Sequence, residues 1–337
     1  MRVALLILVG CSSASTPRPA HVDASIAGHL AEGRTVSVAV AHERIDGVTD
    51  VSTASSWLWA PIVDSHVHLA FWPVADQLAA AGVEGVVDLA APERALGAAS
   101  PIHVISSGPM ITHDGGYPLD AWGADGFGIG CRDAACATAT VARLKAHRAS
   151  LVKIAGDDDG LDPALYGPVV AAAHARGMKV AIHALTDASA ARAAQAGVDI
   201  LAHTPVEALH PSTIAAWRGR AVISTLAAFG GSATAVANLR ALRTAGALVL
   251  YGTDLGNLRV AGPSAEEVRL LAEAGLDDAA IVAAMTTAPA AYWGLPFGMI
   301  ASGREATFLV LDRDPRRDVQ ALFAPTAIYV RGERVSR

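Results

Sequence analysis

Short apolar runs alternate with amphipathic, alanine-rich stretches from about residue 60 to residue 251. Continuous runs rich in Val, Ile and Leu indicate parallel strands that are buried on both faces, with helices packed outside them. The predicted strands are Ile62–His66, Gly85–Leu89, Ile102–Ser106, Leu151–Ile154, Lys179–His183, Ile200–His203, Ala221–Thr225 and Ala247–Tyr251. Eight such strands predict an α/β protein with a (β/α)8 TIM-like barrel over residues 61–296.

Helices are predicted between the strands, and three of them are followed by a glycine that is typical of a helix C-terminus, at Gly177, Gly197 and Gly246. The predicted helices are Val74–Ala81, Ala134–Arg148, Pro163–Arg176, Asp187–Ala196, Pro211–Trp217 and Ser232–Ala245. A further helix around Pro92–Ala98 is needed after the second strand if every unit of the barrel is to be complete.

Both flanks of the barrel carry short strand patterns separated by turn residues. Neither flank alone makes a stable sheet, so we expect the two chain ends to form one small β-sandwich domain from residues 20–60 and 297–337. Arg331-Gly332-Glu333 is typical of a hairpin turn. The predicted flanking strands are Thr35–Val40, Val48–Thr53, Ala306–Leu311 and Ala327–Val335.

The composition excludes several classes of protein. Of the 337 residues, 52% are hydrophobic and 17% are charged, which argues against a disordered chain. No long uncharged apolar run follows residue 20, which argues against a polytopic membrane protein. A net charge of −6 without basic clusters argues against a nucleic-acid partner.

The first 19 residues have the pattern of an export signal and linker. Met1-Arg2 is a short positive start, residues 3–9 are apolar, and a polar stretch follows Cys11. Leu8-Val9-Gly10-Cys11 resembles the bacterial lipobox, which implies cleavage before Cys11 and lipidation of that cysteine. We therefore expect an exported bacterial lipoprotein, periplasmic or anchored to the outer membrane, that contacts the membrane through its lipid only. The alternative is an ordinary secretory signal with an incidental cysteine.

The other two cysteines, Cys131 and Cys136, form an even pair five residues apart. Disulfides persist in the compartments to which exported proteins go, so a local Cys131–Cys136 bridge is expected. The alternative is that both are unpaired small hydrophobic residues.

Residues with metal-binding and catalytic chemistry stand where the predicted strands end. In a barrel of this type, the active site is built at the carboxyl ends of the strands. His66 and His68 alternate, so their imidazoles point the same way and can bind one metal. The chain contains three lysines, and a strand position kept as Lys153 suggests amine chemistry that arginine cannot supply. The candidate site residues are His66, His68, Lys153, His183, His203 and Asp254.

The six candidate site residues and two C-terminal segments together resemble a known family. Residues 286–295 read Thr-Thr-Ala-Pro-Ala-Ala-Tyr-Trp-Gly-Leu, and residues 300–312 read Ile-Ala-Ser-Gly-Arg-Glu-Ala-Thr-Phe-Leu-Val-Leu-Asp. The mature chain resembles the amidohydrolase superfamily and, within it, imidazolonepropionase and prolidase-like metal-dependent hydrolases. Thr307 stands where the family usually has Asp. Imidazolonepropionase lacks the lysine of the fourth strand and binds one metal, so Lys153 favours the two-metal relatives.

The resemblance implies a two-metal site. It implies that His66, His68, Lys153 and Asp254 hold one divalent ion, and that Lys153, carbamylated by CO₂, bridges to a second ion held by His183 and His203. A hydroxide shared by the ions would attack the substrate, and Asp254 would take its proton and return it to the leaving group. Nitrogen and oxygen ligands suit Zn²⁺ best, with Mn²⁺ and Fe²⁺ as alternatives.

Candidate substrate contacts come from the segments that follow the strands. The long segment after the third strand, residues 108–118, contains His113 and Tyr117, and the family carries a similar Gly-Gly segment there. The alternative for both residues is packing against Trp122. Arg259, after the last strand, is a candidate partner for a substrate carboxylate, with a surface arginine as the alternative.

The function indicated by these features is hydrolysis of carbon–nitrogen bonds in amides, peptide-like compounds or cyclic amides. Two alternatives remain open at this stage. One is a lactonase or esterase that uses the same metal site, and the other is a non-catalytic binding lipoprotein on an inherited barrel. In either enzyme the partner is a small-molecule substrate. The sequence leaves the oligomeric state open.

Overall fold

Strands and helices alternate through residues 24–335, the part of the chain that this computed structural model describes. The strands are β1 Ala24–His29, β2 Thr35–Ala41, β3 Arg44–Asp50, β4 Trp57–Trp59, β5 Ile62–Val67, β6 Val83–Asp88, β7 His103–Ser106, β8 Met110–Thr112, β9 Gly128–Gly130, β10 Leu151–Ala155, β11 Lys179–His183, β12 Ile200–Leu201, β13 Ala221–Ile223, β14 Leu248–Leu250, β15 Phe308–Leu311, β16 Ala327–Val330 and β17 Glu333–Val335. The helices are α1 Ala75–Ala80, α2 Ala134–Ala146, α3 Tyr166–His174, α4 Asp187–Ala196, α5 Pro211–Ala216, α6 Ala233–Thr244, α7 Ala265–Glu273, α8 Asp278–Met285 and α9 Thr287–Trp293.

Parallel strands form a TIM-barrel-like arrangement. β5, β6 and β7 pair in parallel in one sheet, and β14, β13, β12, β11, β10, β8 and β9 follow one another in a second parallel sheet. Backbone hydrogen bonds also run between the sheets. Ser150 N donates to Ser106 O at 2.8 Å, and Asp254 N donates to His66 O at 2.9 Å. The end of β5 and the segment after β14 are therefore neighbours, which brings the first and last predicted strands of the barrel together.

The strands are buried because apolar side chains cover both of their faces. Every residue of β5, β6 and β10 is buried. Neighbouring residues of a strand point to opposite faces. Ile200 accordingly belongs to a small cluster with Leu151 and Leu250, whereas Leu201 joins the larger cluster that includes residues of the helices. This two-sided burial explains why the strands have continuous apolar sequences.

The prediction of a helix around Pro92–Ala98 is wrong. The structure has a single 3-10 turn there, Glu93–Ala95. Pro92 and Leu96 on either side of the turn have extended backbone, and Gly97 has φ +73°, so no continuous helix forms. The other predicted helices are present with ends shifted by at most a few residues, and Pro163–Arg176 divides into the 3-10 turn Pro163–Leu165 and α3.

Both chain ends contribute to one seven-stranded sheet in the order β17-β16-β15-β4-β1-β2-β3. The predicted sandwich is therefore seen only in part, as this sheet. β1 and β4 were not expected, and the strand expected at Val48–Thr53 is Arg44–Asp50 instead. Residues 331–332 form the expected turn between β16 and β17. Val38 of β2 packs with Phe308 of β15, so residues from the two ends share one small core.

A disulfide joins Cys131, which follows β9, to Cys136 in the first turn of α2. Cys11 and the rest of the expected export signal lie outside the described residues. Among the residues that are described, no helix combines the length and the apolar character needed to cross a membrane.

Candidate metal centre

The candidate metal centre lies at the carboxyl end of the parallel strands, where His66 of β5, His68 just after that strand and Asp254 beyond β14 meet. His66 and His68 are both buried, and their Nε2 atoms lie 3.4 and 3.0 Å from Asp254 Oδ1. One ligand atom from each of the three residues lies within 4.8 Å of the others. His66 Nδ1 donates to the Ala202 carbonyl at 2.8 Å, which leaves the Nε2 lone pair directed at Asp254.

The backbone after β14 is shaped to carry Asp254 against β5. Asp254 has φ +57°, and Asn257 Nδ2 donates to Asp254 Oδ2 at 2.9 Å. Gly256 has φ +118°, and a Cβ added there would come within 2.8 Å of His68 Cβ. A side chain at position 256 would therefore push against one of the candidate ligands, so this position requires glycine.

Asp64 connects the same two segments, although no role was predicted for it. Its buried carboxylate accepts hydrogen bonds from the His66 amide, the Thr253 amide and the Thr253 hydroxyl. Burial raises the pKa of Asp64 to about 7, although the Thr253 and His66 hydrogen bonds lower it. The only signal in the sequence is its position, two residues before the first histidine.

Lys153, His183 and His203 come from β10, β11 and the residue pair after β12. Lys153 is fully buried, and among the described residues its Nζ has no hydrogen-bond partner. The His203 ring centroid lies 4.4 Å from that of His66 and 4.9 Å from that of His183. His203 Nδ1 shares a 3.0 Å hydrogen bond with Thr225 Oγ1. All six residues proposed from the sequence therefore converge on one region.

The electrostatics favour neutral nitrogens around one ionised carboxylate. Burial lowers the pKa of His66, His183 and His203. Burial also lowers the pKa of Lys153 to about 7, against the opposing effect of Asp254. Burial alone would raise the pKa of Asp254, but the surrounding imidazoles hold it well below its usual range.

These residues fit a divalent metal. Within the described part of the chain, several buried atoms of the site lack a hydrogen-bond partner, which is costly unless something else satisfies them. Imidazole nitrogen and carboxylate oxygen are ligands for Zn²⁺ and related ions. The unpartnered atoms are His66 Nε2, His68 Nδ1, Lys153 Nζ, His183 Nδ1 and Asp254 Oδ1.

A cavity of about 320 Å³ opens onto the ligand atoms. Tyr117 and Phe229 line it, and their rings lie 5.1 Å from His183 and 4.9 Å from His203. Trp122 Nε1 donates to the Tyr117 hydroxyl at 3.3 Å. Burial, together with the carboxylates of Asp254, Asp159 and Asp120, raises the pKa of Tyr117 to about 12 against the opposing hydrogen bond from Trp122. Tyr117 therefore stays protonated and can donate a hydrogen bond.

His113 and Arg259, the other two candidate substrate contacts, lie elsewhere. His113 lines a separate cavity with Arg192, and its Nδ1 donates to the Asp114 carbonyl at 2.8 Å. Arg259 is exposed, and its guanidinium lies 5.6 Å from the Trp72 ring. Neither residue belongs to the lining of the cavity that opens onto the candidate ligands.

Two acidic residues that the sequence did not single out position the cavity walls. Asp157, directly after Gly156 at the end of β10, accepts hydrogen bonds from the amides of Leu185 and Thr186, which follow His183. Glu267 of α7 accepts hydrogen bonds from the amides of Leu226 and Ala227, which lead into the 3-10 turn that carries Phe229. The polar residue after a strand was a usable signal for Asp157, whereas nothing in the sequence marks Glu267.

Comparison with protein-family models matches residues 157–335 to the amidohydrolase family, and the chain belongs to that family. It is an amidohydrolase-type enzyme that acts on carbon–nitrogen bonds. A search of curated proteins gave no match.

Solved structures share the fold. A Xaa-Pro dipeptidase with bound methionine superposes with a TM-score of 0.75 and 17% identity, covering 90% of this chain and 95% of the other. A putative prolidase from Bifidobacterium longum gives a TM-score of 0.75 and 20% identity, covering 93% and 94%. An ochratoxinase from A. niger gives 0.73 and 16%, covering 89% and 91%. The fold is therefore shared along nearly the whole length of each chain.

Proposed function

We propose that this enzyme is a two-metal hydrolase of amide, peptide-like or cyclic-amide bonds, in the prolidase-like branch of the family. The observation that carries the proposal is the position of Lys153. Its amine is buried, has no hydrogen-bond partner among the described residues, and faces the same cavity as His183, His203 and Asp254. A lysine in this place has no structural reason to be retained as lysine, because burying an unpartnered amine is destabilising.

The residues divide into two ligand groups. His66, His68 and Asp254 would hold one ion, and His183 and His203 a second, with Lys153 between them. When bound, two divalent cations, for which Zn²⁺ is the best fit, supply a hydroxide nucleophile at neutral pH and polarise the scissile carbonyl.

Lys153 would join the groups as a carbamate. Because burial lowers its pKa to about 7, a substantial fraction of the amine is neutral near pH 7 and nucleophilic. The amine nitrogen attacks CO₂, a nitrogen–carbon bond forms, and a proton leaves. The product is an anionic carbamate with two oxygens, which can bridge two cations where the amine cannot.

Asp254 is suited to transfer the proton of the attacking nucleophile to the leaving group. Its Oδ1 faces the imidazoles of His66 and His68, while Oδ2 is held by Asn257 Nδ2 at 2.9 Å. A carboxylate that stays ionised can accept the proton of the attacking nucleophile and deliver it to the leaving amine. The low pKa of Asp254 supports this role, because the group is deprotonated before each turnover.

Metal content tests the two-metal proposal. We expect about two equivalents of divalent metal per chain in protein prepared with bicarbonate, and Lys153→Ala should lower both occupancy and hydrolysis because one ligand serves both ions. The exposed lysine Lys145 offers a matched control, and Lys145→Ala should change neither. One metal at full activity, unaffected by Lys153→Ala, would instead support a mononuclear site like that of imidazolonepropionase.

We further propose that the chain is exported and anchored through a lipid on Cys11. The lipobox-like residues 8–11 support this proposal.

We also propose that the parallel strands close into a complete barrel. Two hydrogen bonds support closure, from His68 N to the Leu255 carbonyl and from Ser65 N to the Tyr251 carbonyl. The division into residues 1–19, a barrel of 61–296 and a β-domain from the two ends stays a prediction.

A further inference from the structure

Aromatic rings pack against the candidate ligands, and two of them, Tyr117 and Phe229, line the cavity. Trp122 lies 4.9 Å from the His68 ring, and Tyr117 and Phe229 lie against His183 and His203. Phe71 extends this aromatic surface outward, 5.7 Å from Trp122, and is 38% exposed. Three of the four candidate imidazole ligands therefore contact an aromatic ring, and a molecule in the cavity meets the rings of Tyr117 and Phe229.

The same cavity lacks a side chain that could neutralise a substrate carboxylate. Among the described residues that line it, Lys153 is the only lysine or arginine, and it belongs to the candidate ligand set. Arg259 lies over Trp72, Arg132 is paired with Asp114, and Arg192 lines the neighbouring cavity. That neighbouring cavity is itself acidic, since Asp157, Asp158 and Asp162 also line it.

Hydrogen-bonding groups line the wall beside Tyr117, and no free cation does so within residues 24–335. Asn257 and the Asp254 carboxylate line the same cavity, and Tyr117 N donates to the Asp159 carbonyl at 2.9 Å. A substrate carboxylate placed beside Tyr117 would lose hydration and, among the described side chains of the wall, would meet no arginine and no lysine outside the candidate ligand set. The cavity volume of about 320 Å³ is at the small end of ligand pockets, so such a group has little room to turn away.

We propose that the substrate is a small aromatic amide, or a related carbonyl–nitrogen compound, that is uncharged next to the scissile bond, rather than a dipeptide or N-acyl amino acid with a free carboxylate. This inference rests on the proposed function and adds the class of substrate to it. A neutral polar group beside the scissile bond can accept a hydrogen bond from the Tyr117 hydroxyl or the Asn257 amide. The aromatic part would lie against Phe229.

A matched pair of substrates tests the inference. N-benzoylglycine and N-benzoylglycinamide contain the same scissile amide bond and differ only in a carboxylate or a carboxamide. We expect the metal-loaded enzyme to favour the carboxamide by about tenfold or more in kcat/KM. Binding is measured in parallel by calorimetry, with two hydroxamates that differ in the same terminal group, because this readout does not require turnover.

Two outcomes separate the inference from the proposed function. Equal hydrolysis of both compounds, or preference for the carboxylate, would overturn the inference and leave the hydrolase in place. If neither compound is hydrolysed but the carboxamide hydroxamate binds about tenfold more tightly, the preference of the cavity for an uncharged group is confirmed, and hydrolysis of such amides, which belongs to the proposed function, fails. Equal binding of the two hydroxamates would also count against the inference.

A variant that adds a positively charged side chain to the cavity wall tests the inference directly. Ala228 lines the cavity and is only partly buried, so a longer side chain can extend from it. Ala228→Lys should reduce the preference for the carboxamide to less than about threefold, because the new ammonium can pair with the carboxylate. Ala228→Gln, of similar length but uncharged, should keep the preference, and Arg259→Ala should leave it unchanged. A preference that Ala228→Lys does not alter, or that Arg259→Ala alters, would overturn the inference.

Discussion

Single residues in the candidate metal centre have charges set by burial and by their neighbours. Burial favours the neutral imidazole of His66 and His203, which is the form that binds metals. In His66, the hydrogen bond from Nδ1 to the Ala202 carbonyl leaves the lone pair on Nε2. Asp254 remains ionised in the same surroundings because the imidazoles stabilise its charged form. The site is therefore preorganised for a cation before any cation binds.

Asp254→Asn tests the proton-transfer role at this scale. The amide keeps the shape and one oxygen ligand but cannot accept the proton, so kcat should fall by about 10²–10⁴-fold while the fold is kept. The measurement is kcat with metal content assayed on the same sample. Bound metal together with a fall of less than about tenfold would exclude Asp254 as the base and direct attention to His183 or His203.

Glu84, outside the metal centre, differs from Asp254 because burial favours the neutral form of its carboxyl group. It is fully buried in β6, and neither carboxylate oxygen has a hydrogen-bond partner among the described residues. Burial raises its pKa from 4.5 to about 8, which Glu305 increases and Arg331 opposes. The folded state therefore binds this proton more tightly than the unfolded state, so its contribution to stability is complete below pH 4.5 and is lost as the pH rises to about 8.

Replacing Glu84 by glutamine should remove this part of the pH dependence. We expect Glu84→Gln to gain stability relative to the unaltered protein between pH 4.5 and pH 8, by on the order of several kcal/mol, because glutamine does not ionise. Denaturant unfolding at pH 4.5, 6.5 and 8.5 measures the effect, and the exposed Glu32→Gln is the control. Parallel stability curves for Glu84→Gln and the unaltered protein would show that Glu84 is not held protonated.

At the scale of elements, the segments after the strands carry the site and the outer helices hold those segments. The 3-10 turn Ala227–Phe229 has no cap hydrogen bond from a side chain at its N-terminal end. Glu267 of α7 supplies the missing acceptors, since its two carboxylate oxygens accept from Leu226 N at 3.0 Å and Ala227 N at 2.7 Å. A helix on the outside therefore fixes an aromatic wall of the cavity.

Glu267→Gln should loosen that wall. The amide offers one acceptor oxygen where the carboxylate offers two, so at least one buried N–H loses its partner, at a cost of about 1–3 kcal/mol in the free energy of unfolding. We expect KM to rise more than kcat falls, because Phe229 lines the cavity and the candidate ligands are not altered. Glu266→Gln, one residue earlier and exposed, is the control. Unchanged KM and stability in Glu267→Gln would remove this supporting role.

At the scale of the whole molecule, the two ends of the chain depend on each other. Strands from residues 24–59 and 308–335 share one sheet, and β4 lies between β1 and β15. Val36, Val38 and Phe308 are buried in the core of this sheet, so neither end can bury its apolar face without the other. We expect the sheet to form only after both ends of the chain have been synthesised.

Anchoring also belongs to this scale. If Cys11 carries the lipid, Cys11→Ser should abolish acylation and release the protein from the membrane, because no long apolar segment follows residue 20. A version that begins at Ser12 should fold and remain in the aqueous fraction. Membrane fractionation with detection of the acyl group is the measurement. A Cys11→Ser protein that stays with the membrane would show that another part of the chain anchors it.

The local pattern of the sequence determined most strands of the two parallel sheets, although not the short strands β8 and β9, and the chemistry at the strand ends. Lys179–His183 and Asp187–Ala196 have the bounds that the sequence predicted. Alternation in a strand depends only on neighbouring residues, so His66 and His68 could be placed on one face without tertiary information. The ends of parallel strands meet by topology, which is why His183, His203 and Asp254 could be grouped with them before the structure was known.

Tertiary structure decided what depends on contacts between residues distant in the chain. β4 has three residues and takes both of its partners, β1 and β15, from other parts of the chain. The 3-10 turn Glu93–Ala95 stands where a helix was predicted. Tyr117 lines the candidate cavity while His113 and Arg259 do not, because loop direction and packing against Trp122 and Trp72 place each side chain. Glu267 acts on residues 40 and 41 positions away in the sequence, and such a partnership leaves no periodic signal.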